Sequence, residues 1–250
     1  MRTIILSDSH NHHYKIHNKV LDLIKPNESN ILIHAGDSTG NGTEPEVKSF
    51  VNWFQALKGF DKKILIAGNH DFGFEMYNGV RHKNKPHWIH HIIDSDLFKS
   101  SDCVYLEDDE YIFNCDEFDR PLKIYGSPWQ PWFHDWAFNL PRNGTELKMV
   151  WNNIPHDTDI LITHGPPYGI RDYSYSNKPL GCELLLPRVQ EIKPLIHCFG
   201  HIHYSNGVSL INDVTYVNAS VCTEQYQPTN PIVAIDIKEV DGELLTFFEN

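Results

Sequence analysis

Short apolar runs recur along the chain, and five of them end in side chains of one chemical kind. Residues 3–6 precede Asp8 and His10, residues 31–33 precede Asp37, and residues 64–66 precede Asn69 and His70. Residues 160–162 precede His164, and residues 195–199 precede His201 and His203. Continuous apolar runs of this length, bounded by turn residues, read as buried strands. The intervening segments follow helical spacing. Thr43-Glu44-Pro45-Glu46 has the form of a capping box, and Val47, Phe50, Val51, Phe54 and Leu57 follow it at three- and four-residue intervals. Residues 14–24 predict the first crossover helix. Residues 145–154, stopped by Pro155, predict another, and residues 182–192 a third with Pro187 inside it. Strands alternating with helices predict βαβ units and a largely parallel sheet.

The other strand candidates differ in character. Residues 103–106, 111–114, 123–126, 207–211, 215–218, 232–237 and 243–248 are short, rich in Val, Ile, Tyr and Phe, and separated by turn residues, so they are expected to pair mainly antiparallel. One sheet holding every strand would exceed the usual size, so two are expected. The simplest arrangement is an α/β sandwich of four layers, αββα, with two mixed sheets packed face to face, helices outside and the polar loops along one rim. A boundary anywhere between residues 8 and 203 would cut through that rim, so residues 1–250 are expected to form a single domain.

Composition narrows the partners. A formal charge of −12 disfavours a grip on long nucleic acid, which needs a basic stripe to displace counterions. It leaves room for small anions, because divalent cations in a cleft would reverse the local sign. The five cysteines are scattered, with no C-x-x-C pair, and fit a reduced, cytoplasmic protein. The chain passes from Met1 and Arg2 straight into a strand, which leaves no room for a cleavable leader. No apolar run approaches membrane-spanning length, so no membrane partner is expected. The sequon at Asn143-Gly144-Thr145 is expected to be idle.

Individually the strand ends are weak signals. Asp8-Ser9-His10 is the usual stuff of turns, and Gly36-Asp37 weaker still. Gly68-Asn69-His70 is more specific, since the glycine permits close backbone approach. In Gly200-His201-Ile202-His203 the imidazoles are two residues apart and point the same way if extended. In open α/β sheets, ligands bind beyond the strand carboxyl ends. Together these groups exceed what one metal ion could use. Carboxylate, imidazole and amide suit Mn, Fe, Zn, Co or Ni, and no thiolate is offered to a softer metal.

In this order the motifs resemble those of the calcineurin-like metallophosphoesterase superfamily, and the chain is similar to its metallophosphoesterase-domain-containing phosphodiesterases. Residues 31–37, 66–70, 124–133, 138–142, 159–167 and 227–231 carry the closer likeness. The resemblance implies that Asp8, His10 and His203 hold one divalent or trivalent transition-metal ion, that Asn69, His164 and His201 hold another, and that Asp37 bridges them. It implies a manganese-type phosphodiesterase in which a hydroxide shared by the ions attacks phosphorus in line, with cyclic nucleotides (2′,3′ or 3′,5′) as leading substrates. His70 is left over as the candidate catalytic acid. The D-R-G that follows in Ser/Thr protein phosphatases is absent, as is the tyrosine of purple acid phosphatases. One branch of the close relatives has glycine where this chain has His201. The alternatives are a phosphomonoesterase, a nuclease, or a non-catalytic interaction module on the same fold.

Other residues have quieter readings. His12, His13 and His17 are expected on the polar side of the first helix, and His82, His87, His90 and His91 in packing or surface roles. His34 and His197 lie within apolar strands, as core histidines, and Cys198 is buried filler. Trp129, Trp132, Phe133, Trp136, Tyr168, Tyr173 and Tyr175 form either a hydrophobic cluster under loops or a stacking platform for a nucleobase. Arg142 and Arg171 either touch phosphate or pair with acidic neighbours. The candidate substrate contacts are Asn69, His70, Trp132, Arg142 and Tyr173.

Overall fold

The structure is a computed structural model that describes residues 1–75 and 88–248, excepting the side chain of His90. In chain order the elements are β1 (Arg2–Leu6), α1 (His13–Leu21), β2 (Asn30–Ala35), α2 (Glu44–Ala56), β3 (Lys62–Ile66), α3 (Trp88–Ile93), α4 (Asp96–Ser100), β4 (Cys103–Tyr105), β5 (Asp109–Phe113) and β6 (Leu122–Ser127). There follow β7 (Gln130–Pro131), β8 (Asn139–Leu140), α5 (Thr145–Asn152), β9 (Ile160–Thr163), α6 (Leu185–Ile192), β10 (Ile196–Phe199), β11 (Gly207–Ile211), β12 (Val214–Asn218), β13 (Val233–Val240) and β14 (Glu243–Phe247).

Two six-stranded sheets form, in the orders β14-β13-β1-β2-β3-β4 and β11-β12-β10-β9-β6-β5. Strand alternation divides their side chains into layers. Ile5, Ile31, Ile33, Ile64 and Ile66 of the first sheet meet Ile160, Ile162, Ile196, Cys198 and Val217 of the second in the central layer. On the far side of the first sheet, Ile4, Leu6, Leu32 and Leu65 pack under Ile16 and Val20 of α1 and Phe50 and Phe54 of α2. On the far side of the second, Leu161, Phe199 and Tyr216 pack under Trp151 of α5 and Val189 of α6. This is the expected αββα sandwich.

β1, β2 and β3 pair in parallel, as do β9 and β10, so their carboxyl ends share one rim. The expectation that the remaining strands pair mainly antiparallel holds within the hairpins β5-β6, β11-β12 and β13-β14. It fails where β4 joins β3, β6 joins β9 and β12 joins β10, all in parallel. Helices lie between the first two pairs and the strand β11 between the third, so each connection is long enough for the crossover that parallel pairing requires.

The helices begin and end for local reasons. At α2 the Glu46 carboxylate accepts from both the backbone N–H and the hydroxyl of Thr43, at 2.9 and 2.7 Å. α6 starts at Leu185, three residues later than expected. Pro187 thereby falls in the first turn, where a missing N–H breaks no helical bond. His13 overturns its expected polar placement. It opens α1 on the buried side, its Nε2 lying 3.2 Å from Ser49 Oγ and its ring against Phe50 and Trp53. His17 is also engaged, accepting from Trp53 Nε1 at 3.2 Å. His91 is exposed on α3, as expected, while His82 and His87 lie outside the described residues.

Candidate metal centre

The loops after β1, β2, β3, β9 and β10 meet at one rim. Backbone bonds stitch them together: Asp8 N–H to Gly36 O at 2.9 Å, His10 N–H to Asp37 O at 3.1 Å and Gly200 N–H to His164 O at 2.9 Å. The turns are tight. Asp8, His10, Asp37 and His201 all have positive φ, between 40° and 66°, a conformation costing about 1–3 kcal/mol for a side-chain-bearing residue. Such strain persists where surrounding contacts enforce it, and here the contacts are among the polar groups themselves. A Cβ at Gly68 would strike the backbone N and Oδ1 of Asp37, and one at Gly200 would strike Asp8 Oδ2 and Ser7 Oγ. Glycine at these two positions is what allows the loops to close on the carboxylates.

Three groups of ligand-type atoms lie within 4.8 Å of one another: Asp8, His10 and His203; His10, Asp37 and His70; and Asp37, His164 and His201. Asn69 joins the last, its Oδ1 lying 2.9 Å from His164 Nε2. All seven expected ligands are therefore brought together, with Asp37 shared by the second and third groups.

The hydrogen bonds around the cluster fix the direction of its lone pairs. His164 donates from Nδ1 to Ala35 O at 3.0 Å, and His203 from Nδ1 to Thr223 O at 3.0 Å. A neutral imidazole that donates from Nδ1 has a bare lone pair at Nε2. His164 Nε2 faces Asp37 Oδ2 at 3.4 Å, and His203 Nε2 faces Asp8 Oδ1 at 3.2 Å and His10 Nε2 at 3.3 Å. With both rings neutral, acceptors would point at acceptors in a buried space, an arrangement that a cation or an added proton resolves. The residues fit divalent metal ions on donor chemistry and direction alike.

Proton affinities carry the same message. Burial pulls His164 down, but Asp37 and Asp8 outweigh it and raise the imidazole to about 9. For His203 too, the pull of burial is overcome by Asp8, and the group is raised. Asp8, against burial, is held well below its usual range by His203, His164 and His10, and Asp37 is likewise lowered by its histidines. Burial lowers His10 to about 4 and His201 to about 3. Each group prefers the state a cation would favour, except that an extra proton on His164 and His203 takes the cation's place.

Supporting groups position the cluster. Asp71 is wholly buried and accepts from Ser38 N, Ser38 Oγ, Thr39 N, Thr39 Oγ1 and Gly68 N at 2.7–3.1 Å, tying the Asp37 loop to the Asn69 loop. Burial and the nearby Asp37 raise its carboxyl above the usual range. Asp8 accepts from Ser220 Oγ at 2.8 Å and from the backbone N–H of His201. His70 donates from Nδ1 to Gly40 O at 2.7 Å and packs against Trp136 at 4.0 Å between ring centroids. Its backbone N–H donates to Asp37 Oδ1 at 2.7 Å.

A cleft of about 280 Å³ opens onto the cluster, lined by Asp37, Asn69, His70, His201 and His203 on its floor. Trp132, Phe133 and Tyr226 are the aromatic residues of its lining. The Phe133 ring stands edge-on to His201 at 5.4 Å, and Tyr226 edge-on to His10 at 4.8 Å. Tyr226 was invisible to motif reading, since it reaches the cleft only through a turn that gives it φ of 55°. The expected aromatic group thus divides. Trp129 packs inward with its indole N–H on Asp108, while Trp132 and Phe133 remain exposed in the cleft. Tyr173 is absent from the lining, and its carbonyl accepts from Ser205 Oγ. Arg142 lines the cleft yet is engaged by Gly181 O, Leu180 O and Glu183 at 2.7–2.8 Å. Arg171 pins Ser209 Oγ and the carbonyls of Asn206 and Val208.

A two-sheet sandwich with such a cluster at one rim defines a metallophosphoesterase-type centre. The chain belongs to the calcineurin-like phosphoesterase family, which residues 1–205 match. Within it the similarity is to the metallophosphoesterase domain-containing proteins. Human metallophosphoesterase domain-containing protein 1 is 41% identical over 250 residues, covering 94% of this chain and 71% of that protein. A UPF0046 protein of Caenorhabditis elegans is 33% identical over 248 residues, covering 97% of this chain and 83% of that one. A solved structure from Thermus thermophilus shares the fold, with a TM-score of 0.60 at 13% identity over 99% of this chain and 98% of that one. Hydrolysis of phosphate esters is the chemistry this membership indicates. Among the described residues no helix is long and apolar enough to cross a membrane, and all five cysteines are free and buried.

Proposed function

We propose that the chain is a dinuclear metal-dependent phosphodiesterase acting on small phosphate esters, with cyclic nucleotides as the leading substrates, in the reducing cytoplasm. The observation that carries this reading is the inward aim of Nε2 on His164 and His203 against two buried carboxylates. Asp8, His10 and His203 would hold one ion, Asn69, His164 and His201 the second, and Asp37 both. When bound, two such cations activate a water and offset charge on the phosphoryl oxygens. The chain's own residues do the rest. The carbonyls of Ala35 and Thr223 fix ring orientation. His70 keeps its Nδ1–H on the Gly40 carbonyl, so a proton passed to a departing alkoxide would leave from Nε2. General acid assistance of this kind is worth about 10²–10⁴ in rate.

The test is metal-reconstituted protein, loaded with Mn, Fe, Co, Ni or Zn in turn. It is assayed on an aryl phosphodiester, an aryl phosphomonoester, 2′,3′- and 3′,5′-cyclic nucleotides and single-stranded DNA. Diester hydrolysis ahead of monoester hydrolysis supports the reading. A reversed order establishes a phosphomonoesterase, and inertness with every metal leaves a binding module.

A further inference from the structure

The cleft wall contains a buried acceptor with nothing to accept. Gln130, in β7, is 1% exposed and lines the cleft, and its Oε1 has no hydrogen-bond partner. Amide orientation is settled by its neighbours. Asn139 Nδ2 donates to the carbonyls of Phe133 and His134, at 3.1 and 3.0 Å, and Asn139 Oδ1 accepts from Phe133 N–H at 3.3 Å. Asn139 therefore cannot be turned round. Gln130 has to present its Nε2 to Asn139 Oδ1, at 3.2 Å, which leaves Oε1 as the free group. A buried carbonyl without a donor is costly, and such groups in native proteins commonly await a ligand or a water.

Residue 165, beside this oxygen, has no side chain. A Cβ built there would lie 3.6 Å from Gln130 Cβ and 4.0 Å from Oε1. Gly165 follows His164 directly and lines the same cleft. Trp132 and Phe133, next in the chain after Pro131, present exposed aromatic faces on the same wall.

We infer that Gln130 is a specificity-determining residue. Its Oε1 accepts a hydrogen bond from an O–H or N–H on the organic part of the phosphate ester, a sugar hydroxyl or a base amine. The inference rests on the proposed reading of the cleft as a phosphate-ester site. It adds that the ester carries a donor beside its flat or ring-shaped group, which a plain aryl diester lacks.

The readout is binding, measured by isothermal titration calorimetry on metal-loaded protein. The ligands are adenosine 3′-monophosphate, its 2′-deoxy analogue and its analogue without the exocyclic amine, with inorganic phosphate as reference. The wild-type chain is expected to bind one analogue about tenfold more weakly than the parent, the scale of one neutral hydrogen bond. Gln130→Met and, independently, Gly165→Ala should bring that ratio close to one. Gly165→Ala introduces only ordinary contacts, so it tests the space without disturbing the fold. A general defect would weaken parent and analogue alike and preserve the ratio. Equal binding of all three nucleotides, no gain over phosphate, or a ratio that survives both substitutions overturns the inference. Aryl phosphodiester turnover is followed separately. Its absence beside a donor-dependent ratio overturns the phosphodiesterase reading and leaves this one standing.

Discussion

Buried histidines stand at the rim of the sandwich and in its interior, and His164 and His203 of the first set are held through the opposite ring nitrogen from His34 and His197 of the second. At the rim, His164 and His203 donate from Nδ1 to backbone carbonyls and aim Nε2 at carboxylates. In the interior the reverse holds. Ser9 Oγ donates to Ser38 O, and Thr163 Oγ1 donates to Gly165 O. Each hydroxyl is therefore left to accept from Nε2 of its histidine, His34 at 3.0 Å and His197 at 2.9 Å. Their Nδ1 atoms stay buried without partners. Burial lowers both imidazoles to about 3, whereas the rim carboxylates raise His164 to about 9. Burial alone therefore does not identify a functional histidine. His164 and His203 are set apart by an Nε2 aimed at a carboxylate.

The rim side of the comparison breaks most severely at Asp37, which two of the three ligand-type groups share. Asp37→Asn retains an acceptor for the His70 backbone N–H but loses the charge. Phosphodiester turnover is expected to fall by more than about 10³-fold, the several kcal/mol a Lewis-acid centre supplies. Metal analysis by plasma emission should show loss of bound ion in the same variant. Full occupancy with full activity would remove Asp37 from the centre.

A smaller effect is expected at His70, which lies between the two kinds of histidine. Its ring is partly exposed and tied to a carbonyl, and it sits within 4.8 Å of ligand-type atoms of His10 and Asp37. His70→Ala should lower turnover by about 10²–10⁴-fold while both ions stay bound. If metal content falls in step with activity, His70 belongs to the ligand set.

Much of this rim was legible in the sequence, because a buried strand that ends in Asp, His or Asn delivers that group to the sheet edge whatever the rest of the fold does. The capping box at Thr43 was legible for a similar reason, being a purely local device. What escaped was decided between loops distant in sequence. The Gly40 carbonyl that orients His70 is a backbone atom and has no signature in residue type. Tyr226 enters the cleft by one left-handed residue, and Gln130 is set by an amide on another strand. Arg142 was open to a phosphate or a structural role, and its partners Gly181 and Glu183 come from a loop about forty residues away. His13 looked polar beside His12 and Tyr14. The turn that opens α1 is what points it at Phe50 and Trp53.

The interior side of the comparison is tested by acid. His197 titrates at about 3 in the folded chain against about 6.5 when exposed, with desolvation the sole cause. Between those values the unfolded chain binds a proton that the folded chain refuses. The stability this group contributes is therefore complete above pH 6.5 and declines as pH falls toward 3. The decline amounts to about 1.4 kcal/mol per pH unit within that window. His197→Leu removes the titration and fills similar space, leaving Thr163 bonded to Gly165 O. Urea unfolding at pH 7, 6, 5 and 4.5 should show the variant losing less stability with acid than the wild type, by up to that slope. His156 supplies the baseline. Its side chain is 69% exposed beside Glu191 and Arg188, so His156→Ala should shift stability by less than about 0.5 kcal/mol at pH 7. If His197→Leu follows the wild-type curve instead, the interior histidine is protonated in the folded chain. The opposite-tautomer contrast between rim and interior then fails.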